Sequence, residues 1–133
     1  MNNMDDFSIK RKIYYHHTDA GGVVYYGRYL DFFEEGRTEY LHKRGIIVPE
    51  YHKKGIMFIV VSIEVDYKRP ARYSDEITIF THIGKLGNAS IEFLQEIKKE
   101  DTVLVTAKVV LACIGSDFKV KPLPIEIKQT LAR

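Results

Sequence analysis

A single cysteine, Cys113, is all the thiol chemistry this 133-residue chain offers. No internal disulfide can form, which suits a reducing compartment, and the position of Cys113 in an apolar run reads as core packing. Long hydrophobic runs are also missing. None approaches the ~20 residues of a membrane-spanning helix, and the polar opening MNNMDD lacks the apolar centre of a secretion signal, so a cytoplasmic location is expected. Excess charge of either sign is absent too. Twenty basic residues against 18 acidic ones leave a net charge of +2, too little to make nucleic acid or a membrane surface the main partner. No G-x-S-x-G elbow, G-x-x-x-x-G-K-[ST] loop, G-x-G-x-x-G after a strand or paired C-x-x-C occurs. That excludes serine hydrolases of the common fold, nucleotide triphosphatases, Rossmann dehydrogenases and structural zinc sites. Only His16-His17-x-Asp19 resembles a metal set, and adjacent side chains on extended backbone point to opposite faces, so no metal is expected.

What the chain does contain is enough apolar residue, 45%, to build the core of one domain spanning residues 1–133. Phe7 to Tyr15 alternates like an opening strand. From about Tyr25 to Lys43, Tyr29, Phe32, Phe33, Gly36, Tyr40 and Leu41 recur at helical spacing, and Gly45 is placed to end that helix. Gly36 within it costs about 1 kcal/mol relative to alanine, which predicts a sheet packed closely beneath. From Ile56 onward the stretches IMFIVVSIEVDY, EITIFTHIG, ASIEFLQEIKK and VLVTAKVVLACIG read as four strands, neighbours pairing antiparallel through short turns. Pro70 interrupts the first connection, Lys99-Glu100-Asp101 forms a hairpin turn, and PLPIEIKQTLAR ends in a short helix. The economical architecture is α+β, a sheet curling around one long helix. The opposite face of that sheet calls for cover by another copy.

Residues 14–30, YYHHTDAGGVVYYGRYL, set two histidines, a carboxylate and a glycine pair at the entrance of that helix. Glycines there allow close approach to a ligand, and first-turn N–H groups favour negative charge. The arrangement suits stabilisation of a developing oxyanion beside Asp19. The longer stretch YYHHTDAGGVVYYGRYLDFFEEGRTEYL, with FIVVSIEVDYKRPARYSDEITIFT, resembles the 4-hydroxybenzoyl-CoA thioesterase-like hot-dog family, in particular its YbgC-type acyl-CoA thioesterase branch. The likeness spans about residues 9 to 125.

The resemblance implies a hot-dog fold: a curved antiparallel sheet of about five strands wrapped around one long helix. It implies hydrolysis of an acyl-CoA to a carboxylic acid and free CoA without metal or bound cofactor, in a homodimer or homotetramer with sites between subunits. By the same likeness Asp19 is the catalytic carboxylate, as nucleophile or as base for water, and the Tyr26 backbone N–H polarises the thioester carbonyl. One such donor is worth about 3 kcal/mol in the transition state. Gly22, Val23 and Val24 shape the turn that aims it. Two positions depart from the family pattern: His17 replaces its first aspartate, where it orients a water, stabilises Asp19 or simply faces solvent, and Tyr26 replaces a histidine. Tyr29 is core or acyl-pocket wall, and Ser62 faces the site of a second subunit or packs within its strand. Lys68, Arg69 and Arg72 around Pro70, with Lys85 and Asn88 at the turn IGKLGNAS, are the candidates for meeting CoA phosphates. A non-catalytic acyl-thioester or acyl-carrier-protein binding module is the alternative from another class, and a dehydratase a third reading.

Overall fold

Alternation of apolar and polar residues over Glu76–Leu86, Ser90–Lys99 and Thr102–Gly115 gives three long strands, each with one buried face. The computed structural model describes residues 7–132; the opening MNNMDD, where a secretion signal is not expected, lies outside the described residues. In chain order the elements are β1 (Ser8–Lys12), a 3-10 turn (Tyr15–His17), α1 (Arg28–Lys43), α2 (Val48–Lys53), β2 (Ile56–Tyr67), β3 (Glu76–Leu86), β4 (Ser90–Lys99), β5 (Thr102–Gly115) and α3 (Ile125–Leu131). One curved antiparallel sheet has the order β1-β3-β4-β5-β2. The α+β hot-dog arrangement is therefore present. One pairing differs from the simplest expectation: β2 pairs with β5 and not with its sequence neighbour β3. The Lys68–Asp75 connection, with Pro70 lacking an N–H, crosses from the β2 edge to β3, next to the opposite edge, instead of turning back in a hairpin.

Helix α1 packs against one face of the sheet. Phe32, Phe33, Tyr40 and Leu41 bury there with Ile79, Phe93, Ile97 and Val109. The close approach anticipated at Gly36 is real: a Cβ at that position would stand 2.8 Å from Thr81 Oγ1 and 2.9 Å from Ile79 Cγ2. Beside it, Gln95 sits in the core without an unmet group. Its Nε2 donates to Phe33 O and Thr81 Oγ1, both at 2.9 Å, and its Oε1 accepts from Arg37 Nη1 at 3.2 Å. Such a network fixes the helix on the sheet, because a half-satisfied buried amide would cost more than the contacts return.

Boundaries moved where local chemistry overrode pattern. The opening strand stops at Lys12, and Tyr15–His17 forms a 3-10 turn, which removes the opposite-facing geometry assumed for the two histidines; their ring centroids lie 4.1 Å apart. α1 begins at Arg28, three residues later than anticipated, because Tyr25 and Tyr26 belong to its entrance loop. α2 went unanticipated, being too short to display a period. It closes the corner between α1 and β2, with Tyr51 Oη donating to Glu126 Oε2 of α3 at 2.9 Å. Gly45 takes φ +82° after α1, the left-handed conformation that ends helices without side-chain strain. Cys113 is fully buried, as expected of a packing residue.

Candidate active site

A two-rung ladder sits ahead of α1. Asp19 N donates to Val23 O at 2.9 Å, Tyr25 N donates to His17 O at 3.0 Å, and Gly22 N closes the turn onto Asp19 O at 3.1 Å. Gly22 holds φ +79°, which a β-branched residue would resist. Val24 N donates to Ala71 O at 2.9 Å and Tyr73 N to Gly22 O at 3.3 Å, so the hairpin is pinned to the β2–β3 connection. The chain then turns into α1, where Arg28 N donates to Tyr25 O. Among the described residues, no oxygen accepts from the Tyr26 amide. An open N–H at the entrance of a 16-residue helix is a donor for a partial negative charge.

Around that amide the walls are aromatic. A cavity of about 210 Å³ is bounded by Val24, Tyr26, Tyr29 and Tyr67, with Lys68 and Arg69 at its rim. Tyr29 is only 2% exposed and its hydroxyl accepts from Ala71 N at 2.9 Å; burial pushes its pKa up, so it remains a neutral phenol. Tyr67 Oη donates to Tyr26 O at 3.3 Å, which holds the peptide following the open amide. Burial, then Tyr26, raise the Tyr67 pKa as well. A second cavity of about 340 Å³ lies between α1, α2 and β2, where Glu34, Arg37 and Thr38 face Val48, Phe58 and Val60. Arg37 is 7% exposed, and burial lowers its pKa.

The structure gathers Asp19, Gly22, Val24, Tyr26, Tyr29 and Arg69 at one end of the sheet. Asp19 itself is exposed on the hairpin, its Oδ1 accepting from Gly21 N at 2.8 Å, and it borders neither cavity within one protomer. His17 does not stand out into solvent. It is half-buried, with its ring edge-on to Phe32 at 5.0 Å between centroids. Ser62 lies next to a bulge in β2 and pairs with Val110, on the sheet face away from α1. Lys85 is the tenth residue of β3, nine on from Glu76, and Asn88 follows the strand's end, so both lie about 30 Å or more along the sheet from the Arg72 region. There, Glu92 Oε1 accepts from the Lys85 amide, and Asn88 Oδ1 accepts from Lys128 Nζ at 2.7 Å. Those two cannot share one protomer's site with Asp19.

Sequence reasoning assigned nothing to Tyr67 or Arg37. The usable signal for Tyr67 was its place as the last strand residue before Lys68-Arg69-Pro70, where a side chain must turn toward the α1 entrance. Arg37 announced itself only as a cation on the apolar face of a helix. Among the described residues no group of three or more His, Cys, Asp or Glu is arranged to hold a metal ion, and no helix is long and apolar enough to cross a membrane.

Comparison with known proteins identifies the family. The model of the family described as Thioesterase superfamily matches residues 21–106. The acyl-CoA thioesterase YbgC of Haemophilus influenzae is 36% identical over 125 residues, covering 92% of this chain and 91% of that protein. Among solved structures, a probable thioesterase from Bartonella henselae superposes with a TM-score of 0.84 at 36% identity, covering 89% of this chain and 98% of the other. A hypothetical protein from Aquifex aeolicus gives 0.89 at 25% identity, with 94% and 98% covered. The chain belongs to the thioesterase superfamily and is a thioester hydrolase of the hot-dog fold.

Proposed function

We propose that this chain hydrolyses an acyl-CoA to a carboxylic acid and free CoA, with Asp19 and the Tyr26 N–H as its reacting pair. The observation that carries the reading is the open Tyr26 amide at the α1 entrance, two short hydrogen-bonded rungs from Asp19. As the thioester carbon becomes tetrahedral, charge grows on its oxygen, and a fixed N–H with the helix dipole behind it binds that charge more strongly than the neutral carbonyl. Asp19 either attacks the carbonyl carbon, expelling the CoA thiolate and forming a mixed anhydride that water opens, or removes a proton from the water that attacks. Direct attack is the preferred form, because it asks no proton affinity of an exposed carboxylate. Lys68 and Arg69 at the cavity rim suit the CoA phosphates; Lys85 and Asn88 would serve only from another protomer.

The exposure of Asp19 in one protomer is explained by a homodimer. The outer edge of β2 is unpaired among the described residues and carries Ile59, Val60, Val61 and Ile63, all exposed. A second copy along that edge would wall the hairpin and bring Ser62 toward the partner's site. Pairing of dimers into a tetramer would extend the same logic. The protein is read as acting in the cytoplasm.

Asp19→Asn is expected to lower thiol release from acyl-CoA by about 10²- to 10⁴-fold with the fold intact; turnover near the wild-type rate would remove Asp19 from the reaction. In single turnover in ¹⁸O water, label found in Asp19 establishes attack, because a carboxylate that serves only as a base exchanges no oxygen. A panel of acyl-CoA and acyl-carrier-protein thioesters names the acyl group and its carrier. Binding without thiol release across that panel would favour the non-catalytic alternative.

A further inference from the structure

His17 Nδ1 accepts from the Tyr14 amide at 2.9 Å. That nitrogen therefore carries no proton, and the ring is neutral with its hydrogen on Nε2. The carbonyl of the same residue accepts the Tyr25 amide, and the rung beyond it joins Asp19 N to Val23 O. The ring packs edge-on against Phe32 of α1. One residue thus ties together the Tyr14 turn, the hairpin and the helix. The chain leaves it toward Asp19, two residues on, and it holds by its carbonyl the residue just before Tyr26.

We propose that His17 is a positioning residue: its neutral imidazole locks the Asp19 hairpin and the Tyr26 amide in register, and a proton taken up at Nδ1 releases the lock. The inference rests on the reading of this site as catalytic. The step is simple. A solvent proton occupies the Nδ1 lone pair, the Tyr14 N–H···N bond breaks, and two N–H groups then face each other.

Every charged neighbour bears on when this happens. Burial disfavours the cation most, and His16 and Arg28 oppose it further; Glu35 and Asp31 on α1 favour it. Glu35 is partly occupied by Arg11, whose Nε lies 2.6 Å from its Oε1, and Arg28 reaches Asp31 at 3.5 Å. Together these hold His17 below its usual 6.5. The sign follows: with a depressed folded-state pKa, the lock is fully present above the ordinary value and is lost as pH falls through the folded one.

The test joins kinetics with a readout that needs no turnover. Wild-type kcat should hold down to about pH 6.5 and fall below it as His17 protonates, while KM changes little. His17→Phe keeps a ring against Phe32 but removes the acceptor, and should lower kcat by about 10- to 100-fold at every pH, the scale of a misplaced catalytic group. His17→Gln can accept from Tyr14 with nothing to titrate. It should recover most of that loss and lack the acid limb that belongs to His17. On the wild-type protein, ¹⁵N shifts should report an unprotonated Nδ1 near neutral pH, and Tyr25 amide exchange should quicken as the ring titrates. The proposal is overturned if His17→Gln keeps the wild-type limb, if His17→Phe matches wild-type kcat while folded, or if Nδ1 carries the proton near neutrality. Should Asp19→Asn leave activity untouched, the catalytic reading fails by itself, and the nuclear resonance measurements still decide whether the lock exists.

Discussion

Strand β4, SIEFLQEIKK, mixes charge with hydrocarbon, whereas β2, IMFIVVSIEVDY, is almost continuously apolar; the mixed strand is nonetheless the better buried of the two. In β4 the alternation is resolved inside the protomer. Ile91, Phe93, Gln95 and Ile97 lie under α1 and the residues between them face outward. In β2, only one neighbour, β5, is available, and Ile59, Val60, Val61 and Ile63 remain exposed on a single protomer. Hydrophobicity alone does not place a strand in a core; partners on both edges and on one face do. The apolar surplus of β2 is what a subunit interface would use and what a monomer would not keep.

The comparison is broken most severely from the β4 side. Phe93 is 0% exposed and meets Tyr40 edge-on at 6.0 Å between ring centroids. Phe93→Ala removes that volume where neighbouring strands cannot close in, so urea unfolding should show a loss of about 3–5 kcal/mol. Next in size is Gly36→Ala. The added methyl gains about 1 kcal/mol of helix propensity but drives α1 off Thr81 and Ile79, and overpacking of this kind costs about 1–3 kcal/mol. A net destabilisation is expected in the same assay. An unchanged midpoint would mean that the helix is free to lift from the sheet.

Much of this frame was legible in the sequence because long strands and one amphipathic helix repeat their signal many times. β2 is bounded as its composition suggests, from Ile56 to Tyr67, and Gly36 betrayed the close approach through its cost. What escaped notice had too little length to repeat. α2 is six residues and the turn at Tyr15–His17 only three, too few for a period to show. The pairing of β2 with β5 escaped because a register between distant segments leaves no local trace. At the site, the glycine turn ahead of the helix was legible on its own, whereas the roles proposed for Asp19 and Tyr26 came from the family resemblance. The role of Tyr67 and the distance of Lys85 and Asn88 were not legible, since both depend on which end of the sheet a turn occupies.

The smallest effect on stability should come from the strand that looks most hydrophobic. Val61 is 57% exposed and falls at the bulge between Val60 and Ser62, so within one protomer its side chain has little to lose. Val61→Lys should change protomer stability by no more than about 0.5 kcal/mol, the usual range for surface positions. A charge there discourages pairing between sheet edges, and in the proposed dimer it would face a second copy of itself. Light scattering should then show a monomer where the parent chain associates, with thioesterase activity falling in proportion because Asp19 loses its wall. If the variant stays a dimer at full activity, the exposed apolar edge of β2 is not where the copies meet, and the contrast with β4 would need a different partner to explain it.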